Sequence, residues 1–265
     1  MRSLKHRIAY LVLAMLLAVA SYTAAAERTK LPTHQELTAA LDAVSKASVN
    51  NGAIFSPGEM WAAIVGRSGV VVAVTKTTGA DPWPGSRVIA MQKAYTANAF
   101  SNRNLALSTA NLFTAVQPGG SLYGLQHSNP VNTQTGYGWQ VGQYGTVKDP
   151  AVGKIVGGVN VFGGGVPLYN QKTGAVIGAL GVSGDSSCAD HVIAWRIRHA
   201  LGYTNVPAGV NKTAYGGAAT PAKGDDNIIY ESGGFAHPAC GFKEKTVTDL
   251  PTMQNFGQQL AGKDK

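Results

Sequence analysis

Apolar residues recur at helical spacing through Leu37, Ala40, Leu41, Val44 and Ala47, with Thr33 and Glu36 forming an S/T-x-x-E capping box before them and Asn50-Asn51-Gly52 after. That spacing predicts a helix. Two β-rich apolar runs follow, Met60 to Val65 and Val70 to Thr75, and the Gly66-Arg67-Ser68-Gly69 link between them predicts adjacent antiparallel strands. Past the turn-rich stretch from Gly79 to Gly85, a stripe of Val88, Met91, Tyr95 and Ala99 predicts a helix through Ala99 with Ser86 as its cap. A second helical stretch is expected over about Leu105 to Val116. From Gln117 to about Pro150 neither period is present, and this Gly-, Asn-, Gln-, Pro- and Tyr-rich segment reads as a long functional or interface excursion from the sheet.

The pattern then resumes. Gly165 to Tyr169 and Ala175 to Val182, joined by Asn170 to Gly174, predict a second hairpin, and a helix is expected from about Ser187 to Leu201. Ala189, Val192, Ile193, Ile197 and Ala200 share one arc of that helix. Arg196 falls inside the arc, as a snorkelling side chain or an anion contact, whereas His191 and Arg198 lie opposite, where exposure is expected. Beyond Gly202 the chain becomes rich in Gly, Ala, Pro and Lys, and 243–265 reads as a loosely ordered tail.

Composition narrows the class. The chain has 265 residues, 45% of them hydrophobic and only 14% charged, with 33 glycines. Such a chain suits a tightly turned α/β or α+β domain and excludes disorder and coiled coil. Three of the 22 basic residues, Arg2, Lys5 and Arg7, precede an apolar run from Ile8 to Ala20, and Ala24-Ala25-Ala26 supplies small residues before Glu27. These features read as a secretory signal over 1–26, too short in its apolar part to span a bilayer, which needs about 20 such residues. The expected product is periplasmic or secreted, a single domain over 27–242 with no membrane span. Its remaining Lys and Arg are scattered, which argues against nucleic acid as a partner.

Export bears on the two cysteines. In an oxidising compartment Cys188 and Cys240 are expected to form a disulfide, worth roughly 4 kcal/mol for a loop of about 50 residues. A zinc site is the alternative, because Cys188 and His191 read C-x-x-H and His237 and Cys240 read H-x-x-C. Several catalytic patterns fail. Lys172-Thr173-Gly174 has no Ser-x-x-Lys partner, Gly181 to Asp185 lacks the last glycine of a G-x-S-x-G elbow, and neither a phosphate-binding glycine loop nor H-E-x-x-H occurs.

The second hairpin, Gly164-Gly165-Val166-Pro167-Leu168 followed by Val176 to Gly184, resembles the signature hairpin of the GlcG/HbpS-like haem-binding family. The runs Trp61 to Gly66 and Gly69 to Val74 resemble that family's first hairpin, and Ser86 to Phe100 resembles its helix with a Lys-Ala-(Tyr/Phe)-Thr-Ala core, here Lys93 to Ala97. The resemblance covers roughly Gln35 to Leu201. It implies an α/β (α+β) fold with a mainly antiparallel sheet and helices packed on it, a tendency to form homo-oligomers, and haem as ligand. This chain departs from short members by a long insert at about 117–163 and a C-terminal extension carrying Cys240.

Haem asks for an axial ligand, cations for its propionates and apolar walls. His127, beside Tyr123 in the insert, is the axial candidate; Arg87 and Lys93 are candidate propionate partners; and Gly164, Gly165, Val166 and Pro167 mark the hairpin that the resemblance associates with ligand. Covalent c-type attachment is excluded, since no C-x-x-C-H occurs. The function expected is capture, buffering or sensing of exported haem, with an enzyme or accessory acting on a small metabolite, or a closed-pocket interaction module, as alternatives.

Overall fold

The computed structural model describes residues 28–55, 58–210, 226–230 and 233–255. The leader at 1–26 and the last ten positions of the expected tail lie outside them. In chain order the elements are α1 (His34–Ser45), β1 (Trp61–Gly66), β2 (Val71–Lys76), α2 (Gly85–Phe100), the single turns α3 (Leu125–Ser128) and α4 (Thr133–Gly136), β3 (Gly165–Tyr169), β4 (Val176–Ser183), α5 (Ser187–Ala200), β5 (Asn205–Val206) and β6 (Gln254–Asn255).

β1 to β4 form one antiparallel sheet in the order β2-β1-β4-β3, and β5 pairs with β6 in parallel. Both faces of the larger sheet are covered. Ala62 and Ile64 of β1, with Leu180 and Val182 of β4, pack under α1 and α5 through Leu37, Leu41, Ile193 and Ile197. The alternate residues Trp61, Ala63 and Val65 pack with Val88, Met91 and Ala94 of α2. Strands buried on two faces need no polar alternation, which is why β1 reads as a continuous apolar run.

Glycine permits the closest approach of these layers. A Cβ on Gly181 of β4 would run into the carbonyl oxygen of Ala90 in α2, and one on Gly165 would meet the Lys93 carbonyl. The sheet's outer strands are already engaged. Val71 of β2 donates its N–H to Lys154 O at 2.8 Å and accepts from Gly153 N at 2.9 Å. On β3, Gly165 accepts from Thr109 N at 3.0 Å and donates to Thr109 Oγ1 at 2.8 Å.

The capping box at Thr33 and Glu36 forms as expected, with both reciprocal bonds present. Three expectations are corrected. Ser86 does not cap α2: Pro84 precedes the helix, and Ser86 is buried in its first turn. The stretch 105–116 is not a continuous helix but two short 3-10 turns, Ala110–Leu112 and Thr114–Val116, because Thr109 spends its backbone N–H and hydroxyl on β3 and leaves no intact helical ladder. Residues 243–255 are held rather than loose: Met253 is buried in a cluster with Trp195, Tyr169 and Val206, and the Trp195 indole donates to Pro251 O at 2.8 Å.

The same C-terminal chain overturns the reading of α5 as one-sided. His191 and Arg198 are fully buried, His191 beside Asn227 at 3.1 Å and Arg198 in a two-armed pair with Asp226 at 2.5 and 2.7 Å. Arg196 reaches Asp249 at 2.6 Å and Asn51 at 2.5 Å. The helix is polar on that face because later chain supplies its partners. Among the described residues no helix is long and apolar enough to cross a membrane.

Candidate functional site

A cavity of about 500 Å³ opens where β4 ends and α5 begins, beside α2. Its apolar wall is Phe55, Trp83, Ile89 and Phe162, and Lys93, Ser183, Ser187, Asp185, Asp190 and Glu59 supply its polar atoms. The wall is built locally. Asp185, in the turn after β4, accepts from Ile54 N and Phe55 N at 2.8 Å each, which fixes Phe55 at the rim. Ser186 caps α5 by accepting from Ala189 N at 3.2 Å, so that Ser187 and Asp190 both sit in the first turn.

The floor is charged but internally paired. Lys93 Nζ donates to Asp190 Oδ2 at 2.7 Å and to Val182 O at 3.0 Å, and both side chains are almost wholly inaccessible. Burial drives the Asp190 carboxyl up to about 6 and the Lys93 amine below its ordinary value, while each partner pulls the other back. Arg87, the other candidate propionate partner, is likewise sealed. It pairs with Asp149 of the insert, donates to Gly136 O at 2.6 Å and lies 3.8 Å from the centre of the Tyr144 ring. Neither cation is a free surface charge.

Lys93 lines the cavity; the other sequence candidates lie elsewhere. His127 and Tyr123 stand exposed on and beside α3. Val166 belongs to the core under α5, Pro167 gives its carbonyl to Arg198 at 3.3 Å, and Gly164 and Gly165 serve the close contact of β3 with α2 and β4. Cys188 and Cys240 are joined in a disulfide, with Cα atoms 6.1 Å apart. The zinc alternative falls with that bond, since both sulfurs are consumed and His191 is turned to Asn227 instead.

Beside the bridge lies a pair that no linear motif announced. Ser187 Oγ is 3.1 Å from His237 Nε2, and His237 Nδ1 is 2.7 Å from Pro238 O. Because a carbonyl can only accept, Nδ1 carries the proton and Nε2 accepts from the serine. The ring is buried, which lowers its pKa, and it packs 5.1 Å from Phe113, itself 6.2 Å from Phe162 of the cavity wall. Aromatic residues at 55, 83 and 162 likewise carry no pattern by which sequence alone could group them.

The sequence model of the HbpS-like haem degrading proteins matches residues 33–197, the sheet and its three long helices. The chain belongs to that family. A 15.0 kDa protein of the dhaT-dhaS intergenic region of Citrobacter freundii is 35% identical over 114 residues, 43% of this chain and 57% of that protein. The chain thus spans little more than half of that curated relative's length. Among solved structures, the Klebsiella pneumoniae protein ORFY is similar at 22% identity, TM-score 0.43, over 66% of this chain and 94% of its own. A PduOC:heme complex is similar at 26% identity and TM-score 0.43 over 64% and 94% of the two chains, and HbpS at 19% and 0.40 over 66% and 92%. Family membership rests on the sequence match, and the fold on the sheet described above.

Proposed function

We propose that the chain is an exported haem-binding protein, acting in capture, buffering or sensing, and that haem occupies the cavity beside α5. The observation that carries this is the wall: Phe55, Trp83, Ile89 and Phe162 flank an open cleft of about 500 Å³ in a chain of a haem-handling family. That volume lies within the usual range for small-molecule sites, roughly 300 to 1,000 Å³. Flat aromatic walls suit the faces of a porphyrin, and they gain dispersion and stacking energy by covering it. For the iron, the lining offers oxygen donors, Ser183, Ser187 and Glu59, with the His237 ring one hydrogen bond behind Ser187. For the propionates, the described lining offers one cation, Lys93, and it is held by Asp190. With Glu59 and Asp185 also acidic, the carboxylate edge of haem is assigned to the solvent side of the mouth.

Haemin titrated into the purified chain should give a shifted Soret band, and Trp83→Ala with Phe162→Ala should weaken binding at least about tenfold, or 1.4 kcal/mol. His127→Ala should leave the band in place, because His127 does not line the cavity and is exposed on α3. A chain that stays spectrally silent with haemin, or one whose band depends on His127 and not on the wall, sinks the assignment. Two observations support export, the leader pattern at 1–26 and a disulfide of the kind that persists in oxidising compartments. Protein recovered from the periplasm or medium should begin near Glu27. Self-association is part of the same proposal, supported by the exposed Trp139, Val141 and Val147 of the insert, and light scattering of wild type against Trp139→Ser tests it.

A further inference from the structure

We propose that Ser187 and His237 form a nucleophilic pair at the cavity wall, acting on small uncharged esters. The serine oxygen and His237 Nε2 are 3.1 Å apart, within reach for proton transfer. The Pro238 carbonyl, 2.7 Å from Nδ1, holds the ring in the tautomer whose Nε2 is free to take a proton, the task a carboxylate performs in a serine triad. Ser187 also lines the cavity, so an acyl group seated there reaches the hydroxyl. A place for negative charge is present as well. Of the first-turn amides of α5, those of Ala189 and Asp190 are taken up by Ser186, at 3.2 and 2.8 Å. Those of Ser187 and Cys188 stand at helix positions that have no intrahelical acceptor, and the helix dipole adds to their pull on an oxyanion.

The chemistry balances with water as the co-reactant. Ser187 Oγ bonds to the ester carbonyl carbon as its proton passes to Nε2, and the carbonyl oxygen becomes the oxyanion. The C–O bond to the leaving alcohol breaks, and Nε2 returns the proton to that alcohol. Water then attacks the acyl-serine, giving its proton to Nε2, and Ser187 leaves with that proton while the acid is released. Substrate class follows from the lining: Phe55, Trp83, Ile89 and Phe162 favour an apolar acyl or aryl group, and Glu59 and Asp185 repel an anionic one.

The test uses the full oxidised chain without haemin, treated with an uncharged alkyl fluorophosphonate and, separately, p-nitrophenyl acetate. Peptide mass mapping should place one phosphonyl adduct on Ser187. Ser187→Ala should abolish the adduct, and His237→Gln should slow its formation at least about a hundredfold, the range general-base assistance supplies. Labelling should also fall in acid as His237 takes up a proton. Burial holds that pKa below 6.5, with Lys93 lowering it further and the Pro238 hydrogen bond and Glu244 opposing. No adduct, or an adduct at any residue other than Ser187, overturns the proposal, and because the site is mapped on wild type the outcome does not depend on how the variants fold. Soret titration and adduct mapping read different events, so the haem assignment and this one stand or fall separately.

Discussion

His191 is a neutral imidazole in a place where a cation has no solvent. Its burial lowers its pKa from 6.5 to about 4, with Asn227 as its hydrogen-bond partner. The unfolded chain takes up a proton near pH 6.5 and the folded chain resists until about 4, so this contribution to stability is complete above 6.5 and drains away as pH falls between those values. The loss approaches roughly 3 kcal/mol at 1.36 kcal/mol per pKa unit, and His191→Gln should flatten that part of a urea stability profile between pH 7 and 4. Arg87 and Asp149 make a second residue-scale case. Asp149→Leu alone should cost about 3–5 kcal/mol by stranding a buried guanidinium, while Asp149→Leu with Arg87→Met should recover most of it, which a double-mutant cycle in urea will read. Such pairing explains why the sequence marks out Arg87 and Lys93 yet hides what they do. Their counter-charges stand 62 and 97 positions away, beyond any local pattern.

At the scale of elements, the bridge between Cys188 and Cys240 fastens the first turn of α5 to chain 52 positions later. Reduction should lower stability by about 4 kcal/mol on the loop-closure account, seen as a lower urea midpoint in dithiothreitol that Cys188→Ser with Cys240→Ser reproduces. Gly181→Ala should be worse than its single methyl suggests. The α2 backbone must withdraw from β4, and a drop of at least about 2 kcal/mol in the same denaturation assay is expected. These elements were legible where physics is local. The capping box, the two hairpins and α5 all declare themselves through periodicity and turn residues, within one or two positions of where they stand. The 105–116 stretch did not, since its backbone bonds go to a strand more than 50 residues on. The polar face of α5 misled for the same reason.

Across the whole molecule, the family's domain was readable from three motifs in order, and the cysteine pairing from there being only two. The cavity was not readable, because its wall gathers Phe55, Trp83 with Ile89, and Phe162 from three separate segments that only the fold makes neighbours. The insert stands out by its lack of period, but its work of burying Arg87 through Asp149 and Tyr144 had no local sign. That segment also matters for how copies can meet. With Gly153 and Lys154 seated on Val71, and Thr109 seated on Gly165, each rim strand already has its main-chain valences occupied at its first residue. A second copy pairing rim to rim would have to displace the loop seated at the start of each rim strand, which disfavours growth into one continuous ribbon.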